Sequence, residues 1–236
     1  MRERCDRVVI MYPDYQGKGL EEGGFADRCL ERFDSVVAIV NGGVGKGGYP
    51  LRNDVTTVVS EDFGLGRALI KGYRELSGFD GVVVRVDTEE ADIDKGYHLA
   101  SLAKGGGAVG DLSFGEGFLR AGSADEHSSL DVFPIMFDGF SKGRVRLSGA
   151  HGFQAWQGDV LERVASLAEE RWLRATKGVG MWGFDASMIM AGLESGLEVT
   201  VVKYGASVVR DREREKIAQQ FRSVLNVLLE YERNGL

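Results

Sequence analysis

The sequence predicts an α/β protein with a mostly parallel sheet flanked by helices. Three observations carry that expectation. Short β-branched apolar runs alternate with helix-patterned segments from Arg7 onward. The run Val82-Val83-Val84 with Val86 is of strand length and too short for a typical helix. Its carboxyl end carries Asp87, Glu89, Glu90, Asp92 and Asp94, and in an open α/β sheet that end is where ligands sit.

In order, Arg7 to Tyr12 reads as a first strand that turns away at Pro13-Asp14-Tyr15, because proline ends ladder pairing. Phe25 to Phe33 has helical spacing, Ser35 to Val40 is a second strand, and Asn41-Gly42-Gly43 opens a glycine-rich loop. Asp54 to Val59 is a third strand, and Arg67 to Leu76 a helix with Ala68, Leu69, Tyr73 and Leu76 on one face. After the acid cluster a helix runs to Ala103 and stops at Gly105-Gly106-Gly107. Ala108 to Asp131 lacks a period and reads as a short strand near Val109 followed by a lid-like loop. Ser148 to Trp156 reads as loop then strand. Asp159 caps a helix carrying Val160, Leu161, Val164, Leu167, Ala168 and Trp172. A helix from Ala186 to Glu194, a strand Glu198 to Lys203 and a charged helix Arg212 to Arg233 complete the chain. The last helix bears a stripe of Ile217, Phe221, Val224, Leu225, Leu228 and Tyr231 that packs on the core, with a dimer seam or a membrane-surface contact as the sharper alternative.

At 236 residues the expectation is one domain, 1–236, with halves 1–104 and 105–236. A hydrophobic content of 43% and charged content of 28% are ordinary for a soluble protein. No window reaches eighteen apolar residues, and Val8 to Met11 is too brief for a signal peptide, so a cytoplasmic location is expected. The net charge of -7 excludes a general nucleic-acid binder, which needs a basic face. Cys5 and Cys29 lie in no zinc pattern.

Crowded carboxylates after the central strand repel one another, and a divalent cation bound through oxygen offsets that repulsion; a solvated acidic loop capping the next helix is the simpler alternative. Two nucleotide motifs fail their templates. Around Gly45-Lys46 the leading P-loop glycine is Val40 and the magnesium-binding Ser or Thr is Gly47. Gly64-Leu65-Gly66 has Leu69 in place of a dinucleotide fingerprint's third glycine. His98, His127 and His151 form no metal pattern.

Five pieces in order resemble one family, the inverting family 2 glycosyltransferases of the GT-A fold, especially the soluble catalytic domain of polyprenol-phosphate and dolichol-phosphate sugar (mannose) synthases. Pro13-Asp14-Tyr15 resembles the family's P-x-Y-N-E turn. Phe63 to Ala68 with Lys71-Gly72 is similar to its G-L-G-x-A…G helix start, and Asp87-Thr88-Glu89 to its D-x-D metal motif. Gly152 to Trp156 with Asp159-Val160-Leu161 resembles the G-F-R-x-Y…V-L segment. Gly183-Phe184-Asp185 and Arg210 to Lys216 resemble the terminal region. Gln16-Gly17 stands for the family's Asn-Glu, Asn41-Gly42-Gly43 for Asp-Asp-Gly, and Gln154 for an arginine.

The resemblance implies a GT-A-like, mixed and mostly parallel sheet, and a nucleoside-diphosphate sugar as donor. It implies magnesium or manganese held by Asp87 and Glu89, and a nucleotide pocket of Pro13, Asp14, Tyr15, Asn41, Arg67 and Asp87. Asp185 is the expected base, with a helix N-cap as its alternative role. Gln154, Arg210, Arg212 and Lys216 are expected at acceptor or donor phosphate. The acceptor is a polyprenyl phosphate met at the inner membrane face or a soluble molecule, and a homo-oligomer is compatible. A non-catalytic nucleotide-sugar-binding or regulatory relative is the alternative. A sugar-nucleotide pyrophosphorylase would carry a glycine-rich, basic loop after strand one, where Pro13-Asp14-Tyr15 is read instead.

Overall fold

The structure, a computed structural model, describes residues 7–41, 52–60, 64–87, 93–111, 133–147, 152–177, 182–204 and 214–236, without the side chains of 94 and 214–217. Seven strands are β1 (Val8–Tyr15), β2 (Ser35–Asn41), β3 (Thr56–Val59), β4 (Val82–Arg85), β5 (Gly106–Asp111), β6 (Gln154–Gln157) and β7 (Glu198–Lys203). They form one sheet in the order β3-β2-β1-β4-β6-β5-β7. All neighbours are parallel except β6, which runs antiparallel to β4 and β5. The helices are α1 (Phe25–Leu30), α2 (Leu65–Glu75), α3 (Ile93–Leu102), α4 (133–140), α5 (Gly158–Thr176), α6 (Phe184–Glu194) and α7 (Arg214–Arg233).

The strands are apolar on both sides because helices cover both faces of the sheet. On one face Val9, Met11, Val37, Ile39 and Val83 join Leu69 and Tyr73 of α2, Leu161 and Val164 of α5, and residues of α6 and α7. On the other, Val8, Ile10, Tyr12, Ala38 and Val84 meet Phe25 and Cys29 of α1 and Leu99 of α3. The α7 stripe packs into the first of these layers through Val224, Val227, Leu228 and Tyr231. Tyr231 donates its hydroxyl to the Ser187 carbonyl at 2.9 Å, fastening α7 to α6.

Three local expectations are corrected. First, β1 runs through Pro13 to Tyr15 instead of turning there. Residues on a parallel strand alternate the edge to which they offer backbone groups. Met11 accepts from Val86 N–H at 3.0 Å, so Pro13, two residues on, faces that same β4 edge where the β1–β4 register has already ended. Its missing donor therefore breaks nothing, while Gln16 N–H still reaches the Asn41 carbonyl on the β2 side at 2.9 Å. Second, α5 begins at Gly158, whose N–H is satisfied by the Gly81 carbonyl at 2.8 Å. Asp159 lies in the first turn without capping it, where its charge still complements the helix dipole. Third, Asp185 is not a cap: Gly183, with φ at 91°, precedes α6, and Asp185 sits in the first turn. A helix also stands at 133–140, within a stretch that the periodicity left unassigned. The lid-like loop lies, from residue 112 on, outside the described residues.

Candidate active site

The carboxyl ends of β1, β2 and β4 define one edge of the sheet. The chain moves from β1 to β2 and β3 on one side, and returns to place β4 on the other side of β1. That makes the β1–β4 gap a topological switch point, the position where open α/β sheets bind ligands. The β1–β4 register ends at Met11 and Arg85, so Pro13 lies beyond it at the opening.

On the β1 and β2 side the structure brings together Pro13, Asp14, Tyr15 and Asn41, with Tyr15 and Asn41 in register. Tyr15 is 60% exposed, a large aromatic ring left to solvent at the strand end. Asp14 is buried and accepts from the Gly19 N–H with both oxygens at 3.0 Å. It thereby ties down the turn Gln16-Gly17-Lys18-Gly19, which carries an exposed lysine. Burial pushes the Asp14 carboxyl above its ordinary value, partly offset by the backbone N–H groups of Gly19, Leu20 and Lys18. Arg67 stands exposed in the first turn of α2, which follows β3.

On the β4 side the organising residue is Arg85, which pattern reading passed over. Its side chain is wholly buried. One terminal nitrogen donates to Asp87 Oδ1 at 2.9 Å, and the other lies 3.5 Å from Asp185 Oδ1. The Asp87 side chain is 32% exposed and that of Asp185 15%. The antiparallel β6 explains the meeting: Gln154 pairs with Arg85, so the residues just before β6 arrive at the carboxyl end of β4. A Cβ on Gly152 would fall 0.9 Å from an Arg85 terminal nitrogen and 2.0 Å from Cζ, so only glycine leaves room for the guanidinium.

Gln154 itself is wholly buried. Its amide donates to the Asp185 backbone carbonyl at 3.0 Å and accepts from the Trp156 indole N–H at 3.0 Å. This bracket fixes where α6 begins and hence where Asp185 points. Tyr73 of α2, wholly buried, feels the charges of Arg85, Asp185 and Asp87; its phenol is held well above the ordinary range, first by burial. It is therefore a donor at neutral pH, not an anion.

Of the expected site residues, Asp87, Asp185 and Gln154 thus converge on Arg85, and Pro13, Asp14, Tyr15 and Asn41 line the neighbouring strand ends. Glu89, Arg210 and Arg212 lie outside the described residues, and Lys216 is in the first turn of α7 with its side chain outside them. The sequence signal for Arg85 was present: one cation inside VVVRV demands a buried partner. Which carboxylates supply it depends on contacts across the sheet.

Of the two residues expected to hold magnesium or manganese, Asp87 is an oxygen donor of the type these ions take, and Glu89 lies outside the described residues. Asp87 is a carboxylate at the edge of the crevice, partly exposed, and one of its two oxygens is engaged by Arg85. Among the described residues, no three His, Cys, Asp or Glu side chains group closely enough to hold an ion together. Also among them, no helix is long and apolar enough to cross a membrane.

No family model and no curated protein matches the sequence. Solved structures do. The 2-C-methyl-D-erythritol 4-phosphate cytidylyltransferase of Thermus thermophilus matches at a TM-score of 0.51 and 12% identity, covering 93% of this chain and 98% of that one. A protein of Desulfovibrio desulfuricans, provisionally assigned as a nucleotide-diphospho-sugar transferase, matches at 0.47 and 10% identity over 95% and 97%. The 4-diphosphocytidyl-2C-methyl-D-erythritol synthase of Anaerococcus prevotii matches at 0.47 and 10% over 93% and 95%. The first likeness extends to the broad fold and does not single out the polyprenol-phosphate sugar synthases. The chain has the GT-A-like fold of nucleotide-diphospho-sugar transferases, a mixed and mostly parallel sheet between helices.

Proposed function

We propose that this protein is a nucleotide-dependent transferase that moves a sugar from a nucleoside-diphosphate sugar to an acceptor with inversion. The observation that carries this reading is the pairing of Asp87, at the donor-side strand end, with Asp185, on the acceptor-side helix, around one guanidinium.

In this reading the base lies against the exposed Tyr15 ring, and Asn41 and the Asp14-tied turn line the ribose and phosphates. The acceptor enters from the β6 and α6 side. An acceptor oxygen, of the phosphate in a polyprenyl phosphate or of a hydroxyl in a soluble acceptor, attacks the anomeric carbon opposite the diphosphate, the bond to the diphosphate oxygen breaks, and Asp185 takes whatever proton that oxygen carries. Asp87 and Glu89 would hold magnesium or manganese, which would supply Lewis-acid stabilisation of the leaving diphosphate. Arg210, Arg212 and Lys216 steady acceptor phosphate, with a polyprenyl phosphate or a soluble phosphorylated molecule as the acceptor class.

A second reading, nucleotidyl transfer from a nucleoside triphosphate to a sugar phosphate, gains from one correction above. Because β1 extends to Tyr15, the segment after the first strand is Gln16-Gly17-Lys18-Gly19, glycine-rich and basic, held by Asp14. The two readings release different products. The protein is incubated with nucleoside-diphosphate sugars and a polyprenyl phosphate or soluble sugar-phosphate acceptor, or with nucleoside triphosphates and sugar phosphates, each with manganese. Nucleoside diphosphate release supports glycosyl transfer and pyrophosphate release nucleotidyl transfer. Saturable nucleotide binding with neither product makes the protein a non-catalytic binder.

A further inference from the structure

Tyr73 carries a hydroxyl that packing alone does not need. The residue is wholly buried in α2, with its ring centre 6.2 Å from that of Phe184, the neighbour of Asp185 at the start of α6. Among the described residues the hydroxyl meets no hydrogen-bond partner. Other ring donors wholly buried in the same layer are satisfied: the Trp156 indole donates to the Gln154 side chain, the Trp172 indole to the Trp182 carbonyl and the Tyr231 hydroxyl to the Ser187 carbonyl. A buried hydroxyl without a partner costs stability that phenylalanine would keep. The charges of Arg85, Asp185 and Asp87 act on it, and of these only the two carboxylates can accept a hydrogen bond. Asp185 acts the more strongly of the two, and it directly follows the Phe184 that Tyr73 packs against.

We propose that Tyr73 is a positioning residue for the reaction: with an acceptor in the crevice, its hydroxyl donates to one carboxylate oxygen of Asp185 and turns the other toward the acceptor oxygen. This rests on the reading of Asp185 as the base. Arg85 stands 3.5 Å from Asp185, beyond the usual N–H···O range of about 2.7–3.2 Å, so that contact supplies charge without direction. A neutral phenol supplies direction without a second positive charge, which would weaken Asp185 as a base. Tyr73 keeps its own proton in this step, and the proton that Asp185 takes comes from the acceptor. The hydroxyl left without a partner in the empty crevice is then stability given up for a base that is aimed only when the acceptor is there.

Stability and turnover should therefore move in opposite directions. Thermal unfolding and nucleoside diphosphate release are measured on the full chain for wild type, Tyr73→Phe and Tyr231→Phe, with a panel of GDP-, UDP-, ADP- and CDP-sugars, manganese and the phosphorylated acceptors named above. Tyr73→Phe should melt at or above the wild-type temperature, whereas Tyr231→Phe, which loses a satisfied hydroxyl, should melt below it. In Tyr73→Phe, kcat should fall by about tenfold or more, part of the roughly 10²–10⁴-fold that a positioned base supplies, with the KM for the sugar nucleotide within about twofold of wild type. An unchanged kcat, a loss that falls on KM instead, or a Tyr73→Phe that melts below wild type overturns the proposal. A panel that wild type does not turn over overturns the transferase reading and this proposal with it, whereas an active wild type beside an equally active Tyr73→Phe overturns this proposal alone.

Discussion

Arg85 and Asp185 come from opposite halves of the chain, yet a wholly buried guanidinium nitrogen of one stands 3.5 Å from a carboxylate oxygen of the other. The contact joins β4 to α6 across the site. Removing the cation takes the shared counter-charge from two partly buried carboxylates. Arg85→Met should therefore lower the unfolding free energy by about 3 kcal/mol, the low end for a broken buried pair, because both carboxylates keep some solvent. Urea unfolding with an unchanged slope checks this; a loss under about 1 kcal/mol means that the pair carries little.

Gly152 is constrained by space. In Gly152→Ala the new methyl falls on the wholly buried Arg85 fork. The expected cost is about 1–3 kcal/mol of overpacking. A second prediction separates packing from charge: combining Gly152→Ala with Arg85→Met should cost less than the sum of the two, since the clash disappears with the fork. Strict additivity in thermal or urea unfolding contradicts the contact.

The protein should lose stability in alkali. Burial pushes the Cys29 thiol from its ordinary 9.0 up to about 12. The phenols of Tyr12, Tyr73 and Tyr231 also rise, each first because of burial. An acid whose native value is raised holds its proton in the folded chain and gives it up in the unfolded one. The stabilisation is present below the unfolded value and is lost as pH climbs from about 9 toward 12. In an absorbance titration, three of the seven tyrosines should ionise only together with unfolding. Cys29 should resist iodoacetamide at pH 8 until denaturant is added. Early, independent ionisation of all seven tyrosines contradicts this packing.

Asp14 follows the same sign from a lower ordinary value. Burial raises its carboxyl, so the native chain favours the protonated form, and this contribution is lost as pH rises through the native value. Asp14→Asn keeps an oxygen to accept from Gly19 N–H without the charge. It should match or exceed wild-type stability at pH 7, with the difference vanishing near pH 3. Asp14→Ala should cost about 1–2 kcal/mol, since the buried N–H loses its acceptor. A destabilised Asp14→Asn contradicts this.

Much of the architecture is written in local patterns. The strand cores of β2, β4 and β7 and the stripes of α5 and α7 follow from apolar periodicity, because each element's burial is decided by its own spacing. Asp87 was legible as acid at the end of an apolar strand. What periodicity does not carry is neighbour identity. Nothing in Gln154-Ala155-Trp156 says that this short strand enters backwards between β4 and β5. Without that insertion neither Arg85's partners nor Gly152's role can be read. Pro13 misled for a related reason: a proline stops a ladder only on the edge it faces. The helix at 133–140 hid behind Pro134 and Gly139, although proline is tolerated in a first turn.

The central claim is that a nucleotide binds at the β1–β4 opening through Asp87. Its most direct test is thermal unfolding of wild type and Asp87→Ala with GDP, UDP, ADP and CDP, each with and without manganese. A nucleotide at about a hundredfold over its dissociation constant stabilises by roughly 2.7 kcal/mol, a rise in Tm of roughly 5–10 °C for a chain of this size. One nucleotide should give such a rise, larger with manganese and lost in Asp87→Ala. No rise with any nucleotide, or a rise that survives in Asp87→Ala, contradicts it.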